Sequence, residues 1–431
     1  TIMQNKLNSA EINIPNREYL ELNFVGETAT GRGNNQTLIM EVDPVNKNVF
    51  NITMGRIGIR IGRKAPRTYS LAMSEWDNFY RQKVNSGWLL TKTQKMEKKE
   101  IKKSGMKFQD GGIYAQTGVF SVDAIITKLI SYVQTVISDN YTTSVDDISD
   151  EMLSYGESIL IELSKDYENM SIAAFNNKLK TLYAAIPRRM DNLSKHLAKR
   201  KIEFTEILDK EQELFNTIKA QVRDNNDLAS CEKMPTVLEH FGLEWRAVTQ
   251  AESDSIKKMM GQDADRYRNA WRIVNKKTEK AFNDYCKKEN LTDENQGISH
   301  LFHGSRSENF WSIITNGLTI NPIGVVTNGK MFGLGTYFAN KARKSMGYTS
   351  SSGSYWAHGA ESVGYMGIFK VATGKHYDVT SAESDLTYKV LQARCPGAHC
   401  TWAHAGTSLC NDEIIVYQDQ QSTIEYFVEF A

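Results

Sequence analysis

The sequence lacks the features that mark secreted and membrane proteins. Its 431 residues hold no uninterrupted apolar run near the roughly 20 residues of a membrane-spanning helix. The first residues have no basic-then-apolar order, so no secretory signal is visible, and Thr at position 1 predicts that N-terminal sequence is missing. The 5 cysteines are sparse and odd in number, which favours a reducing compartment. We therefore expect an intracellular protein without a membrane partner, in the nucleus if eukaryotic or in the cytoplasm and nucleoid if bacterial.

Internal repeats and low-complexity tracts are also absent. With 40% hydrophobic and 10% aromatic residues, the composition excludes a disordered or collagen-like chain. At roughly 100–200 residues per domain, this length predicts two to four domains.

The chain carries almost no net charge, only +1, but its charges are unevenly distributed. Residues 51–105 contain thirteen Lys and Arg against four acidic residues, whereas residues 143–169 contain eight acidic residues and one Lys. A basic block in an otherwise acidic chain indicates a polyanion site near the N-terminus. The alternative for residues 92–103 is a solvated Lys-rich helix face or linker.

Hydrophobic periodicity divides the chain into a multidomain α+β protein. Residues 1–105 are predicted as a small β-rich domain, in which the segment 54–62 (MGRIGIRIG) has a period of two. That period predicts Ile57, Ile59 and Ile61 on the core face and Met54, Arg56 and Arg60 on the opposite face. After a linker at 106–118, a period of 3.6 predicts an all-α bundle at 119–223, with Ser171 as a helix cap. Residues 224–431 are predicted as a mixed α+β domain.

Four short motifs in the last third of the chain have side chains suited to chemistry. They are HGS at 303–305, FGLGTYF at 332–338, KSMGY at 344–348 and NDEIIVY at 411–417. A glycine lets a ligand lie against bare backbone, and a carboxylate at the mouth of an apolar strand can act on a bound hydroxyl or a developing cation. Each motif alone is weak, since a lone His is most often structural and GLG is not a phosphate loop.

In this order and spacing, the motifs resemble the catalytic domain of DNA-dependent poly(ADP-ribose) polymerases. The resemblance implies a His–Tyr–Glu triad at His303, Tyr337 and Glu413. Upstream, the segment 54–62 and the Gly87-Trp88 pair resemble the family's nucleic-acid-binding WGR domain. The bundle at 119–223 stands where the family has its autoinhibitory helical domain. The last domain, 224–431, is then the ADP-ribosyltransferase domain.

The resemblance implies that NAD⁺ is a consumed substrate. Gly304 backbone and the Ser345 hydroxyl would bind the nicotinamide amide, and Tyr337 and Tyr348 would sandwich its ring. Glu413 would stabilise the oxocarbenium-like state and polarise the incoming acceptor, so that no protein nucleophile is needed. The full set of expected NAD⁺-binding residues is His303, Gly304, Ser305, Asn309, Tyr337, Lys344, Ser345 and Tyr348.

The expected nucleic-acid contacts depart from the family pattern at one position. The tryptophan of the WGR motif is Met54 here, whereas Gly55 and Arg56 remain. Met can pack against a sugar or a base without aromatic stacking, and an arginine offers a bidentate phosphate contact. We expect Met54, Gly55, Arg56 and Arg60 to contact nucleic acid, with DNA ends or breaks as the partner.

A loop rich in Cys and His offers an alternative metal site. Cys395, His399, Cys400 and Cys410 lie within sixteen residues, but their spacing is not the C-x₂-C of common zinc sites. We therefore expect no metal, with zinc as the alternative.

These features together predict a DNA-activated poly(ADP-ribosyl)transferase that modifies itself and other proteins and releases nicotinamide. A mono-ADP-ribosyltransferase, an NAD⁺ glycohydrolase and a nucleic-acid-binding scaffold with a relic catalytic domain are the alternatives.

Overall fold

The computed structural model describes residues 13–27, 33–56, 67–94, 114–143, 145–190, 192–229, 231, 233–320, 331–348, 363–406 and 409–431. The described residues within 1–101 and 136–229 form one compact unit, unit 1. Those within 102–135, 230–322 and 327–431 form a second, unit 2. The described residues have a mixed α+β structure, as the sequence predicts. The division at 1–105, 119–223 and 224–431 stays a prediction.

Unit 1 contains a five-stranded antiparallel sheet. Its strands are β1 (Tyr19–Glu27), β2 (Gly33–Val42), β3 (Val49–Arg56), β4 (Arg67–Ala72) and β5 (Leu89–Lys92), in the order β4-β3-β2-β1-β5. Helix α1 (Trp76–Asn85) buries Trp76 and Tyr80 against this sheet, and the Trp76 ring lies 4.8 Å from that of Phe50. The core of the N-terminal region is therefore aromatic at its centre.

Strand β3 places Met54 on the core side of the sheet. The buried side chains of Phe50 and Ile52 set the inward face, and Met54 follows with the same period of two and packs against that core. The sequence analysis places Met54 on the opposite face, because it assigns Ile57, Ile59 and Ile61 to the core and alternates from them. Residues 57–66, including Arg60, lie outside the described residues, and so does the side chain of Arg56.

Four long helices form the predicted helical region. They are α2 (Phe120–Asn140), α3 (Asp150–Asp166), α4 (Ile172–Ala185) and α5 (Phe204–Ala229). The predicted cap is confirmed, because Ser171 Oγ accepts a hydrogen bond from the N–H of Ala174 at the start of α4. The Phe175 and Phe204 rings stack at 3.9 Å and join α4 to α5. Within unit 1, the Asn23 side chain on β1 donates to the carbonyl of Ala184 at 3.1 Å, so that the sheet and α4 belong to one compact unit.

Helix α2 is long and largely apolar. Among the described residues it is the one helix whose length and composition would allow it to cross a membrane. Asp123 and Lys128 interrupt the run, which is why no continuous apolar stretch is visible. Core helices of soluble proteins can have the same length and composition.

Unit 2 contains a five-stranded and a four-stranded sheet. The first has the order β6-β7-β14-β10-β8, with β6 (Leu243–Ala247), β7 (Tyr267–Asn275), β8 (Ile298–Gly304), β10 (Gly364–Ala372) and β14 (Ser422–Phe430). The second has the order β11-β12-β13-β9, with β9 (Thr336–Phe338), β11 (His376–Val379), β12 (Cys400–Ala403) and β13 (Glu413–Val416). The helices are α6 (Val237–Phe241), α7 (Gln250–Met260), α8 (Lys276–Glu289), α9 (Asn309–Asn316), α10 (Ala342–Met346) and α11 (Tyr388–Arg394).

An antiparallel bridge joins the two sheets of unit 2. The Phe302 N–H donates to the Ala339 carbonyl at 2.8 Å, and the Ala339 N–H donates back to the Phe302 carbonyl at 2.9 Å. Phe302 lies in β8, and Ala339 directly follows β9. The bridge therefore brings the end of β8 next to the end of β9, where two of the predicted motifs lie.

A His–carboxylate pair in the five-stranded sheet predicts pH-dependent stability. His300 Nδ1 lies 2.5 Å from Glu425 Oε2, and this hydrogen bond raises the pKa of His300 above its ordinary value. Burial works against ionisation of Glu425, but His300 together with the charges of Arg272 and Lys370 outweighs it, and the carboxyl pKa lies below its usual range. The stabilisation from His300 is therefore present below the pKa of an unfolded histidine and is lost as the pH rises through the folded value.

Replacing this histidine should lower stability more in mild acid than in base. We expect His300→Gln to reduce the free energy of unfolding at pH 5.5, where both partners are charged, and to have a smaller effect at pH 9. Urea titrations at the two pH values measure the difference. Ser299→Ala, on the same strand without a titratable group, is the control, and equal losses for His300→Gln at both pH values would contradict the prediction.

Candidate active site

The end of strand β8 positions the first two residues of the site. His303 and Gly304 pair with Gly367 and Met366 of β10, which fixes their backbone. His303 Nδ1 lies 2.9 Å from the carbonyl oxygen of Tyr337. Because a carbonyl only accepts, the proton of this bond is on Nδ1. The histidine is therefore held in one orientation by the strand that carries the tyrosine.

Gly304 faces the backbone of helix α10 at close range. A Cβ atom on residue 304 would lie 1.9 Å from the Ser345 carbonyl oxygen, so that only glycine is compatible with this approach. Ser345 itself is only 2% exposed. The site thus has a wall of bare backbone beside a buried hydroxyl-bearing residue, as the sequence predicts for binding of an amide.

The Tyr337 hydroxyl is fixed by two backbone groups. It donates to the Gly333 carbonyl at 2.9 Å and accepts from the Phe332 N–H at 3.0 Å. Burial raises the pKa of this phenol well above its ordinary value, and the nearby Glu413 charge adds to the effect. Tyr337 is therefore a neutral, immobile ring, which suits a wall of a binding site better than it suits an acid or base.

Strand β13 brings Glu413 to the same place. Ile415 of β13 pairs with Tyr337 of β9, and the period of two puts Glu413 on the same face as Ile415. Glu413 pairs with Ala403 of β12 on its other side and is 9% exposed. A carboxylate at the start of an otherwise buried apolar strand is largely desolvated, which requires a partner for its charge.

Lys344 of helix α10 is the partner of Glu413. Its Nζ lies 2.6 Å from Glu413 Oε1, and the two side chains are 13% and 11% exposed. The same ammonium donates to the carbonyls of Asn411 at 3.2 Å and Asp412 at 3.5 Å. Lys344 therefore connects the Glu413 side chain to the backbone that leads into β13.

The remaining predicted NAD⁺-binding residues lie at the edge of this site. Asn309, the first residue of α9, donates from its side-chain amide to Ser305 Oγ at 3.0 Å. Tyr348 follows α10 and is 46% exposed. Burial and the Glu413 charge raise the pKa of the Tyr348 hydroxyl. The structure thus brings the predicted catalytic and NAD⁺-binding residues together in unit 2, and their contacts with NAD⁺ stay a prediction.

The predicted nucleic-acid residues belong to unit 1. Met54 packs on the core side of its sheet, and Gly55 precedes the end of β3 at Arg56. Their contact with nucleic acid stays a prediction, as does that of Arg56 and Arg60.

The Cys and His residues of the alternative zinc site point to separate surroundings. Cys400 is fully buried, and burial raises the pKa of its thiol. His399 Nδ1 accepts from the Lys375 N–H at 3.0 Å, while Cys395 is half-buried and Cys410 is exposed. Within the described ranges, no group of three or more His, Cys, Asp or Glu is arranged to hold a metal ion.

Sequence reasoning assigned no role to the three residues that surround Asp412. The side chains of Trp402 and Asn340 and the Ala405 N–H all donate to its carboxylate. No motif marks Trp402 or Asn340, because these contacts depend on three separate segments meeting in space.

Comparison with known proteins matches part of unit 2. Residues 250–405 match the family model of the poly(ADP-ribose) polymerase catalytic domain. That stretch contains His303, Tyr337 and Ser345 and ends before Glu413. The match supports ADP-ribosyltransferase activity with NAD⁺ as the substrate.

Individual relatives are similar over part of the chain. A poly [ADP-ribose] polymerase-like protein, 100L, of Invertebrate iridescent virus 6 is 29% identical over 135 residues, which are 30% of this chain and 70% of that protein. The poly [ADP-ribose] polymerase of Drosophila melanogaster is 32% identical over 149 residues, 29% of this chain and 14% of that protein. Poly [ADP-ribose] polymerase 1 of Gallus gallus is 38% identical over 82 residues, 19% of this chain and 8% of that protein. The similarity therefore covers less than a third of the chain.

Proposed function

We propose that the chain is an NAD⁺-dependent ADP-ribosyltransferase that releases nicotinamide and attaches ADP-ribose to proteins, including itself. The observation that carries this proposal is the Lys344–Glu413 ion pair, 2.6 Å long and nearly buried, on the same sheet face as Tyr337. A desolvated carboxylate beside an aromatic wall and bare glycine backbone is suited to a cationic ring and the sugar attached to it.

Backbone groups and two aromatic rings would bind the nicotinamide end of NAD⁺. The close approach of Gly304 and Ser345 leaves backbone groups for the amide, and the fixed Tyr337 ring with the more exposed Tyr348 ring would stack on the two faces of the pyridinium. His303, held through Nδ1, would present Nε2 to a ribose hydroxyl. These roles require no protein nucleophile.

The chemical step breaks the bond between the nicotinamide nitrogen and ribose C1. Its electron pair leaves with nicotinamide, which becomes neutral, and the positive charge passes to the ribose as an oxocarbenium-like state. The Glu413 carboxylate would stabilise that charge through the ribose hydroxyls. The acceptor oxygen then bonds to C1 and, where it is a hydroxyl, loses its proton to Glu413.

We infer that the product is a polymer because Glu413 is a carboxylate. Chain elongation requires a group that accepts the proton of the previous ribose hydroxyl, and Glu413 has that ability. The ammonium of Lys344, 2.6 Å from Glu413 Oε1, would fix the position of this side chain.

DNA ends are the proposed activator. Residues 51–105 carry thirteen basic against four acidic side chains, which suits a phosphate backbone. Helix α2 offers a route for regulation, because within unit 2 the Lys128 ammonium lies 5.3 Å from the centre of the Tyr365 ring on β10. Strand β10 pairs with β8, which carries His303 and Gly304.

Incubation of the purified chain with labelled NAD⁺ tests the reaction. Free nicotinamide and protein-bound ADP-ribose in equal amounts, seen as a ladder on a denaturing gel, are the expected result. Nicotinamide without bound ADP-ribose would identify a glycohydrolase, and a single discrete band would identify mono-ADP-ribosylation. No turnover at all would leave a nucleic-acid-binding scaffold.

DNA ends and loss of the Lys128 contact should both raise turnover. We expect blunt or 5′-phosphorylated DNA to increase NAD⁺ turnover at low salt, and salt to reverse the effect by screening the phosphate contacts. Lys128→Ala should raise the DNA-independent rate several-fold, whereas Lys165→Ala, an exposed lysine on α3, should not. Equal rates with and without DNA would contradict activation by DNA. An unchanged basal rate for Lys128→Ala would show that this contact of α2 does not restrain the enzyme.

A further inference from the structure

Asp412 connects three segments at the entrance to the catalytic strand. Its Oδ1 accepts from the Ala405 N–H at 2.8 Å, and its Oδ2 accepts from the Trp402 indole N–H at 3.0 Å and from the Asn340 amide at 3.3 Å. Burial raises the pKa of Asp412, but these hydrogen bonds outweigh it, so that the pKa lies below its ordinary value. The residue is therefore a carboxylate that accepts bonds from β12, from the loop after β12 and from the segment between β9 and α10.

The donors come from the elements that carry the active site. Asn340 lies between Tyr337 of β9 and Lys344 of α10, and Trp402 pairs with Ile414, the neighbour of Glu413. Lys344 contacts the backbone of Asp412 and the side chain of Glu413 at once. A shift of the Asp412 side chain would therefore move the backbone that places the Glu413 carboxylate.

Trp402 and Asp412 lie on the face of the sheet opposite to Glu413. Glu413 pairs with Ala403, and alternation along β12 puts Trp402 on the other face from Ala403. The Trp402 ring packs against the His376 ring with the centroids 4.6 Å apart and the planes tilted by 31°. His404, directly after β12, has its Nε2 2.6 Å from Asp378 of β11. These contacts leave the indole with little freedom, so that it acts as a rigid donor.

We propose that Trp402, Asn340 and Asp412 form a positioning clamp that sets the Glu413 carboxylate for transfer to the acceptor. The inference rests on the proposed function of Glu413 and adds residues that do not touch NAD⁺. In the part of the chain that the structure describes, the Asp412 carboxylate accepts from Trp402, Asn340 and Ala405, and none of these three is a predicted nicotinamide contact. The clamp should therefore affect the chemical step more than NAD⁺ binding. A misplacement of the catalytic carboxylate by about 1 Å can cost roughly 100-fold in rate.

Trp402→Phe is the most specific test, since it removes the indole donor and keeps an aromatic ring. We expect kcat for protein-bound ADP-ribose to fall roughly 10- to 100-fold with KM for NAD⁺ within about twofold of the original. The kcat of Asp412→Ala should fall at least as far. The kcat of Asp412→Asn should fall less, because its amide oxygen still accepts from Trp402. The double variant Trp402→Phe/Asp412→Ala should be no worse than Asp412→Ala alone.

A second tryptophan supplies the matched control. The Trp245 indole nitrogen, on β6, is buried and makes no hydrogen bond to the described residues. Trp245→Phe removes the same atoms and should lower the melting temperature without lowering kcat. Equal losses of kcat in the two tryptophan variants would show that Trp402 has only a general structural role. A rise in KM that accounts for the whole fall in kcat/KM would show the same, and either result would contradict the proposed clamp.

Crystal structures of the variants separate this inference from the proposed function. In Trp402→Phe the Lys344 Nζ–Glu413 Oε1 distance should exceed its present 2.6 Å. If the unaltered chain releases no nicotinamide, the proposed function fails, while this distance still tests the clamp. A distance unchanged in both Trp402→Phe and Asp412→Ala would overturn it whatever the activity.

Discussion

Glu413→Gln should abolish chain elongation before it abolishes NAD⁺ cleavage. The amide keeps the shape of the side chain but cannot accept the proton of an acceptor hydroxyl, and loss of such a base typically costs 10²–10⁴-fold in rate. Cleavage should fall less, because the Gly304–Ser345 wall and the Tyr337 ring remain to bind nicotinamide. The gel of labelled protein is expected to change from a ladder to a single band.

Another lysine–glutamate pair in unit 2 serves as the control for this change. Lys370 Nζ, on β10, lies 3.0 Å from Glu279 Oε1, on α8. Glu279→Gln removes an equivalent charge and should leave the ladder intact. A full ladder from Glu413→Gln would mean that another group activates the acceptor, and the proposed role of Glu413 would be wrong.

Gly304→Ala should remove nicotinamide binding almost completely. The new methyl carbon would lie 1.9 Å from the Ser345 carbonyl oxygen, so β8 and α10 must separate or the methyl must displace the ligand. Either outcome destroys the backbone wall, and we expect KM for NAD⁺ to rise by about 100-fold or activity to be lost. The measurement is initial-rate kinetics over a wide range of NAD⁺ concentrations.

Gly406→Ala provides the comparison for steric effects. A Cβ atom at residue 406 would meet nothing within 4 Å, so this substitution should be silent. Thermal unfolding of both variants distinguishes a lost binding site from a lost fold. Normal KM for NAD⁺ in Gly304→Ala would show that nicotinamide does not use this wall.

The two glycine substitutions also illustrate what a sequence reveals about a site. HGS at 303–305 indicates that backbone is exposed to a ligand, but not which segment lies opposite. The structure supplies the partner, Ser345, which is distant in sequence and is brought near by the bridge between Phe302 and Ala339. Sequence separation of this size carries no local signal, because the contact depends on the packing of two sheets.

The two faces of a strand can be predicted from its sequence only when the first inward-facing residue is identified correctly. The alternation in 54–62 is real in the sequence, yet Met54 packs with Phe50 and Ile52 on the core side. A shift of one residue exchanges the two faces of a strand, so an error at the strand start reverses every assignment. Helix caps were more reliable, as at Ser171, because a cap is satisfied by the next turn of the same helix.

The sequence by itself determined the identity of the chemical groups: one carboxylate before an apolar strand, two tyrosines, a His-Gly-Ser segment and a basic N-terminal block. Local periodicity also determined most of the helices and strands that carry them. Only the tertiary structure decided that Lys344 pairs with Glu413, that His303 is oriented by the Tyr337 carbonyl and that Trp402 donates to Asp412. These are contacts between segments far apart in the chain, and their geometry is set by how the sheets and helices pack rather than by any neighbouring residue.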